Sequence, residues 1–297
     1  MKKLAAIIIG SNSTRMLVAD IPLFLYPLME RYETRLLSSL DNQGYLSANA
    51  IDDMAQLILN LYNKAKTLGA QAICLAATSA TRDAKNAEEL IKAINEKTGL
   101  CLKTLSGEEE ARLSYIGAGD GNEPYAMIDI GGGSTEIACE NKSLSFQMGA
   151  LRLYNMHDIT SIESAKEAID AAKRVFASCN KFNFDKWYFV GGTASVIARI
   201  YIKSDDYSLL KSDVKISIDY AKEALKQLAA MPKHERSGVI GVPQDRVDIL
   251  PTGIAVLIAA MECLNIPHVY ASDRNNLFGA LKQYGVDSAI VEFVNIQ

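Results

Sequence analysis

Two twelve-residue stretches of this chain lie in register with one another: I-I-I-G-S-N-S-T-R-M-L-V from Ile7 and I-D-I-G-G-G-S-T-E-I-A-C from Ile128. Each reads as strand, small-residue turn, strand, and a unit duplicated in this way constrains the chain to two similar halves. A turn built of Gly and Ser lets backbone N–H groups converge on an anion, so each half is expected to present a phosphate-sized turn to a shared cleft. Two short hairpins rich in small residues can also resemble one another without any ligand, and that plainer origin stays open on twelve positions. The length of 297 residues exceeds the commonest single-domain size, which makes two domains the default.

Apolar runs of strand length alternate with segments of helical period, the pattern of an α/β fold. Strands are expected at 4–9, 16–20, 72–77, 101–105, 125–130, 135–139, 144–148 and 187–190. Helices are expected at 48–68, 87–98, 108–116, 161–178, 193–201, 218–230 and 246–264, with two more after Asn275 and Val286.

Composition excludes several classes. The net charge of −4 supplies no field for nucleic acid, and no basic run is interleaved with aromatics, so neither DNA nor RNA is an expected partner. The opening MKKLAAIII is cut short by Gly10, Ser11, Asn12 and Ser13, too soon for a signal peptide or membrane span, so a buried first strand and no membrane partner are expected. Five cysteines without C-x-x-C spacing read as core thiols in a reducing, cytoplasmic compartment, with Cys179 in a more polar setting. The three histidines show no ligand spacing.

The chemistry-bearing residues fall in five places. Gly131, Gly132, Gly133 and Ser134 form a turn that keeps side chains out of a phosphate's way, with Asp129 before it and Glu136 after it as candidate ligands of Mg²⁺ or another divalent cation. A plain hairpin also favours glycine. Gly191, Gly192 and Thr193 follow a strand and open a helix, a setting that suits anions and serves equally as an ordinary connection. Ser11, Asn12 and Ser13 form the first turn. A-T-S-A-T-R carries Thr81 and Arg82 on a loop, where a hydroxyl and a guanidinium can grip phosphate. S-G-E-E-E-A-R puts Glu108, Glu109 and Glu110 in a first helical turn, where acids ordinarily complement the helix dipole and one of the three can instead act as the base for water.

S-N-S, A-T-S-A-T-R, S-G-E-E-E-A-R, D-I-G-G-G-S-T-E, M-G-A-L-R-L and G-G-T occur in this order, and with them the chain resembles the exopolyphosphatase and guanosine pentaphosphate phosphohydrolase (Ppx/GppA) family of the actin-like superfamily. The resemblance spans about Leu4 to Asp273. It implies two duplicated actin-like (ribonuclease H-like) domains, each a five-stranded mixed sheet flanked by helices. The division expected is 1–122 and 123–285, with a C-terminal helix at 286–297 able to rejoin the first domain. By motif the resemblance makes Glu110 the catalytic carboxylate and Arg82 the ligand of the scissile phosphate. Asp129 and Glu136 become metal-associated acids, and the three turns become phosphate loops. The implied substrates are polyphosphate or guanosine pentaphosphate, and a homodimer is compatible with the resemblance.

Two departures qualify this. Where the family opens with D-x-G-S-N-S this chain has Ile8, so in the repeat Ile8 and Arg15 stand opposite Asp129 and Glu136 and the first hairpin has neither acid. Near the end S-D-R-N-N-L-F-G replaces a more Gly- and Arg-containing pattern, which leaves substrate identity open. The sequence therefore supports metal-assisted phosphoanhydride hydrolysis, with a non-catalytic nucleotide or polyphosphate sensor as the rival that Ile8 favours. A small-molecule phosphotransferase is a third reading.

Overall fold

The structure, a computed structural model, describes residues 1–119, 123–179, 182–205 and 213–296. Its strands are β1 (Lys2–Ile9), β2 (Ser13–Ile21), β3 (Leu25–Glu33), β4 (Ala72–Ala77), β5 (Lys103–Thr104), β6 (Ala126–Ile130), β7 (Thr135–Cys139), β8 (Lys142–Phe146), β9 (Trp187–Val190), β10 (Val214–Ser217), β11 (His268–Ala271) and β12 (Val294–Asn295). Its helices are α1 (Ala48–Thr67), α2 (Ser79–Asp83), α3 (Ala87–Thr98), α4 (Gly107–Ala118), α5 (Ala150–Met156), α6 (Ile162–Phe176), α7 (Gly192–Ile202), α8 (Ile218–Ala230), α9 (Leu250–Leu264) and α10 (Asn276–Lys282).

Two compact units result, one of residues 1–117 and 276–297, the other of 118–275. The expected boundary at 122/123 thus lies five residues earlier, and the chain returns to the first unit at Asn276, ahead of the expected 286. The reason is α10, whose Leu277, Phe278, Ala280 and Leu281 are buried and which packs on β1 and β2. No helix follows Val286 among the described residues. Val294 and Asn295 instead pair antiparallel with Ile73 and Ala72 on the edge of β4.

The first unit's sheet runs β12-β4-β1-β2-β3 with β5 beside β4, and the second runs β10-β11-β9-β6-β7-β8. Both are mixed α/β sheets flanked by helices, as the resemblance implied, with six strands in place of five; in the first sheet β5 and β12 are two residues each. The central strands β1, β4 and β6 read as continuous apolar runs because neighbours cover both faces. Strand β3 escaped the sequence reading because L-Y-P-L-M-E-R-Y-E does not alternate and holds Pro27, which an edge strand tolerates. Helix α9 is buried on nearly every side, in keeping with its uniformly apolar sequence. Cys74 and Cys139 are buried, whereas Cys101 is exposed, not in the core. No helix among the described residues is long and apolar enough to cross a membrane.

The duplication holds at the level of single hydrogen bonds. In the first hairpin Ile8 faces Arg15 and Ile9 faces Thr14, and in the second Asp129 faces Glu136 and Ile130 faces Thr135. Gly10 N–H closes one turn on Ser13 O at 3.1 Å, and Gly131 N–H closes the other on Ser134 O at 3.0 Å. Each hairpin then takes a parallel neighbour on the same side, β4 beside β1 and β9 beside β6, and each neighbour leads into a short-range turn and a helix.

Candidate active site

In the first unit the β1–β2 turn is anchored through its carbonyls. Asn12 O accepts from the N–H groups of Thr34 and Arg35 at 3.1 and 2.9 Å, and Ser11 O accepts from Leu37 N–H at 3.0 Å. The Ser11 hydroxyl accepts from Ala80 N–H at 3.1 Å and so joins this turn to α2. Asn12 is only 5% exposed, yet neither its amide oxygen nor its amide nitrogen has a hydrogen-bond partner among the described residues. Such a group costs on the order of 1–3 kcal/mol unless something else satisfies it.

Beside it, α2 carries Thr81 and Arg82. Thr81 Oγ1 is buried and also without a partner among the described residues. Arg82 Nη1 donates to Leu105 O at 2.8 Å and to Glu110 Oε2 at 2.9 Å, while its buried Nη2 bonds nothing among the described residues. The three acids that open α4 are now distinct. Glu108 is exposed. Glu109 forms a reciprocal cap with Ser106, its carboxylate accepting from Ser106 N–H at 2.8 Å and its own N–H donating to Ser106 Oγ at 3.1 Å, and it also pairs with Lys103. Burial pushes the Glu109 carboxyl up, but Lys103 and the Ser106 N–H outweigh this and hold it below the usual carboxylate range. Glu110, 6% exposed, turns inward to Arg82.

In the second unit Asp129 and Glu136 occupy facing positions on β6 and β7, so both carboxylates leave the same face of the sheet. Asp129 is 4% exposed and Glu136 fully buried, with Ser145 Oγ donating to Glu136 Oε1 at 2.8 Å. Among the described residues no group of three or more His, Cys, Asp and Glu side chains gathers at one point. Two adjacent carboxylates supply oxygen donors of the kind a hard divalent cation takes, with waters and substrate oxygens completing its shell.

The β9–α7 turn approaches Asp129 closely. Gly191 has φ +95°, and a Cβ there would lie 2.6 Å from Asp129 Oδ1 and 2.8 Å from Ile130 O. A Cβ on Gly192 would lie 2.0 Å from the guanidinium of Arg246, and Thr193 is buried against Gly253. Ser195 Oγ donates to Asp273 Oδ1, and more weakly to Gly191 O at 3.4 Å. Gly131 has no positive φ, whereas Gly191 does. The structure thus brings Ser11, Asn12, Thr81, Arg82 and Glu110 together in one unit, and Asp129, Glu136, Ser134, Gly131 to Gly133 and Gly191 to Thr193 in the other. Sequence reasoning passed over Arg246, taken only as a helix start, and Gly149 and Arg152 of M-G-A-L-R-L, which contact the glycine turn. Their signal was a glycine placed directly before a helix that carries an early arginine.

A model of the Ppx/GppA phosphatase family matches residues 20–276. The chain belongs to the Ppx/GppA phosphatase family. A guanosine-5'-triphosphate,3'-diphosphate pyrophosphatase of Pseudoalteromonas atlantica is 29% identical over 94% of the chain, and the chain spans 57% of that relative's length. Among solved structures, the Ppx/GppA family member of Aquifex aeolicus is similar with a TM-score of 0.81, 23% identity, and coverage of 94% of this chain and 96% of that one. An exopolyphosphatase of Cytophaga hutchinsonii is similar with a TM-score of 0.84, 20% identity, and coverage of 95% and 97%. These structural likenesses carry the fold of the Ppx/GppA family onto both units.

Proposed function

We propose that the chain hydrolyses terminal phosphoanhydride bonds of inorganic polyphosphate or guanosine pentaphosphate, with Glu110 accepting a proton from the attacking water. The observation that carries this reading is the Arg82–Glu110 pair. One guanidinium nitrogen fixes the carboxylate at 2.9 Å, and the other is buried without a partner among the described residues, as are the Asn12 amide and Thr81 Oγ1. Buried donors of this kind are what an anionic substrate would satisfy, and Arg82 holds the Glu110 carboxylate at 2.9 Å. Family membership and the pyrophosphatase name of the Pseudoalteromonas relative favour the same chemistry.

Asp129 and Glu136 would hold the divalent cation, Glu136 being oriented by Ser145. When bound, the cation supplies charge neutralisation at the phosphate oxygens. The Gly131–Ser134 turn, through the N–H groups of Gly132 and Gly133, and the Gly191–Thr193 turn would receive phosphate oxygens, and Arg82 Nη2 would meet charge developing on the transferred group.

A second reading, a sensor that binds the same ligand without turnover, draws on Ile8. It is fully buried where the duplicated hairpin has Asp129, so the first turn offers no carboxylate to a metal or its water. Phosphate release with Mg²⁺ from polyphosphates of several lengths and from guanosine pentaphosphate, compared between wild type and Glu110→Gln, separates the two. Release that depends on Glu110 supports the hydrolase; binding without release in both proteins supports the sensor.

A further inference from the structure

The glycine turn of the second unit is held from behind by a helix that has no side-chain cap of its own. Helix α5 begins after Gly149, and its first N–H groups bond the turn's carbonyls: Ala150 to Gly131 O, and Leu151 and Arg152 to Gly132 O, each at 2.9 Å. Arg152 Nε donates to the next carbonyl, Gly133 O, at 2.6 Å, and its Nη2 is steadied on Gln147 Oε1 at 2.9 Å. Thr135 Oγ1 donates to Met148 O and fixes the approach of the segment. None of this fits unless residue 149 lacks a side chain, because a Cβ there would lie 2.6 Å from Gly132 C and O and 2.7 Å from Ser134 N.

In a planar trans peptide the C=O and the following N–H point in opposite directions. With the carbonyls of Gly131 and Gly132 drawn toward α5, the N–H groups of Gly132 and Gly133 are turned to the other side. A run of three glycines has the largest backbone freedom to lose, so without such a backing the turn would not hold two N–H groups in one direction.

We propose that Gly149 and Arg152 are positioning residues for phosphate binding. They fix the carbonyl side of the Gly131–Ser134 turn, which leaves its N–H side preset for phosphate oxygens. The inference rests on the reading of that turn as a phosphate loop. Arg152 contributes through the turn, by a charge-assisted bond to Gly133 O.

The test uses the full chain, with inorganic tripolyphosphate as the probe for both calorimetric binding and phosphate release in Mg²⁺. For Arg152→Ala the expected result is a roughly tenfold rise in Kd and KM, the effect of losing one charge-assisted hydrogen bond. kcat should stay within a factor of about three, since ground state and transition state lose alike. Arg152→Lys should recover part of the loss, because an ammonium can still donate to Gly133 O, which a role in stability alone would not produce at equal thermal midpoints. Gly149→Ala should move the same parameters in the same direction; if that variant does not fold, Arg152→Ala and Arg152→Lys decide. Wild-type values of Kd and KM in Arg152→Ala overturn the positioning role alone. A wild-type protein that binds and hydrolyses neither tripolyphosphate nor guanosine pentaphosphate overturns the phosphate-loop reading and the positioning role with it.

Discussion

Arg82 Nη1 lies 2.9 Å from Glu110 Oε2 and 2.8 Å from Leu105 O, so one nitrogen ties α2 to the first turn of α4. The pair connects two motifs 28 residues apart and gives the carboxylate a single bearing. Its partners on α4 are disposed of differently, one in solvent and one in a cap.

Glu110→Gln should lower kcat for phosphate release by about 10²–10⁴, the usual contribution of a positioned general base. The amide keeps the size of the side chain and its bond to Arg82, so the thermal midpoint should change little. Equal turnover in the variant would remove Glu110 from the role.

Asp129→Asn should raise the Mg²⁺ concentration needed for half-maximal activity by more than about tenfold, since one of two candidate carboxylates is lost and the site has few others to recruit. Calorimetric Mg²⁺ binding to the unliganded protein checks the same point without turnover, and unchanged affinity would exclude Asp129 as a ligand.

Gly191→Ala should destabilise the protein by at least about 2 kcal/mol, because φ +95° is a region that L side chains rarely adopt and the new Cβ would lie 2.6 Å from Asp129 Oδ1. Chemical denaturation compared with Gly69→Ala, also at positive φ but with nothing within 4 Å, isolates the contact from the backbone strain. Equal losses at both positions would show that the approach to Asp129 adds nothing.

Glu262 on α9 pairs with Lys173 of α6 and, at 2.6 Å, with Lys222 of α8. Burial pushes its carboxyl up, but the two lysines outweigh this and leave it below the usual range. A depressed folded pKa means that the unfolded chain binds more protons in acid, so this contribution is present above the ordinary carboxylate pKa and lost as pH falls through the folded value. The difference in thermal midpoint between wild type and Glu262→Gln should therefore be largest near neutrality and shrink in the acid range. A difference constant with pH would assign the effect to packing.

Much of the fold was legible because the two hairpins repeat and the central strands are apolar runs with few alternatives. Helices α3 and α8 fall where the 3.6-residue period puts them. What was hidden depends on contacts distant in sequence. Strand β12 is two residues long and exists only because the edge of β4 is there to pair with, and the return of the chain at Asn276 depends on the apolar face of α10 meeting β1 and β2. In the candidate site, Glu110 could not be told from Glu108 and Glu109 by composition, since all three share a first helical turn. The structure separates them by what each meets: solvent, Ser106 with Lys103, or Arg82. Arg246 was illegible for a related reason, because its value lies in the space that Gly192 leaves open.

The matched closures of the Gly10–Ser13 and Gly131–Ser134 hairpins give the molecule an internal control. One copy keeps the bend while carrying isoleucine and arginine at the facing positions, and the other keeps it while carrying two carboxylates. The bend is therefore independent of the acids, and a chain with this duplication can exchange the chemistry of one copy while leaving its shape to be inherited intact.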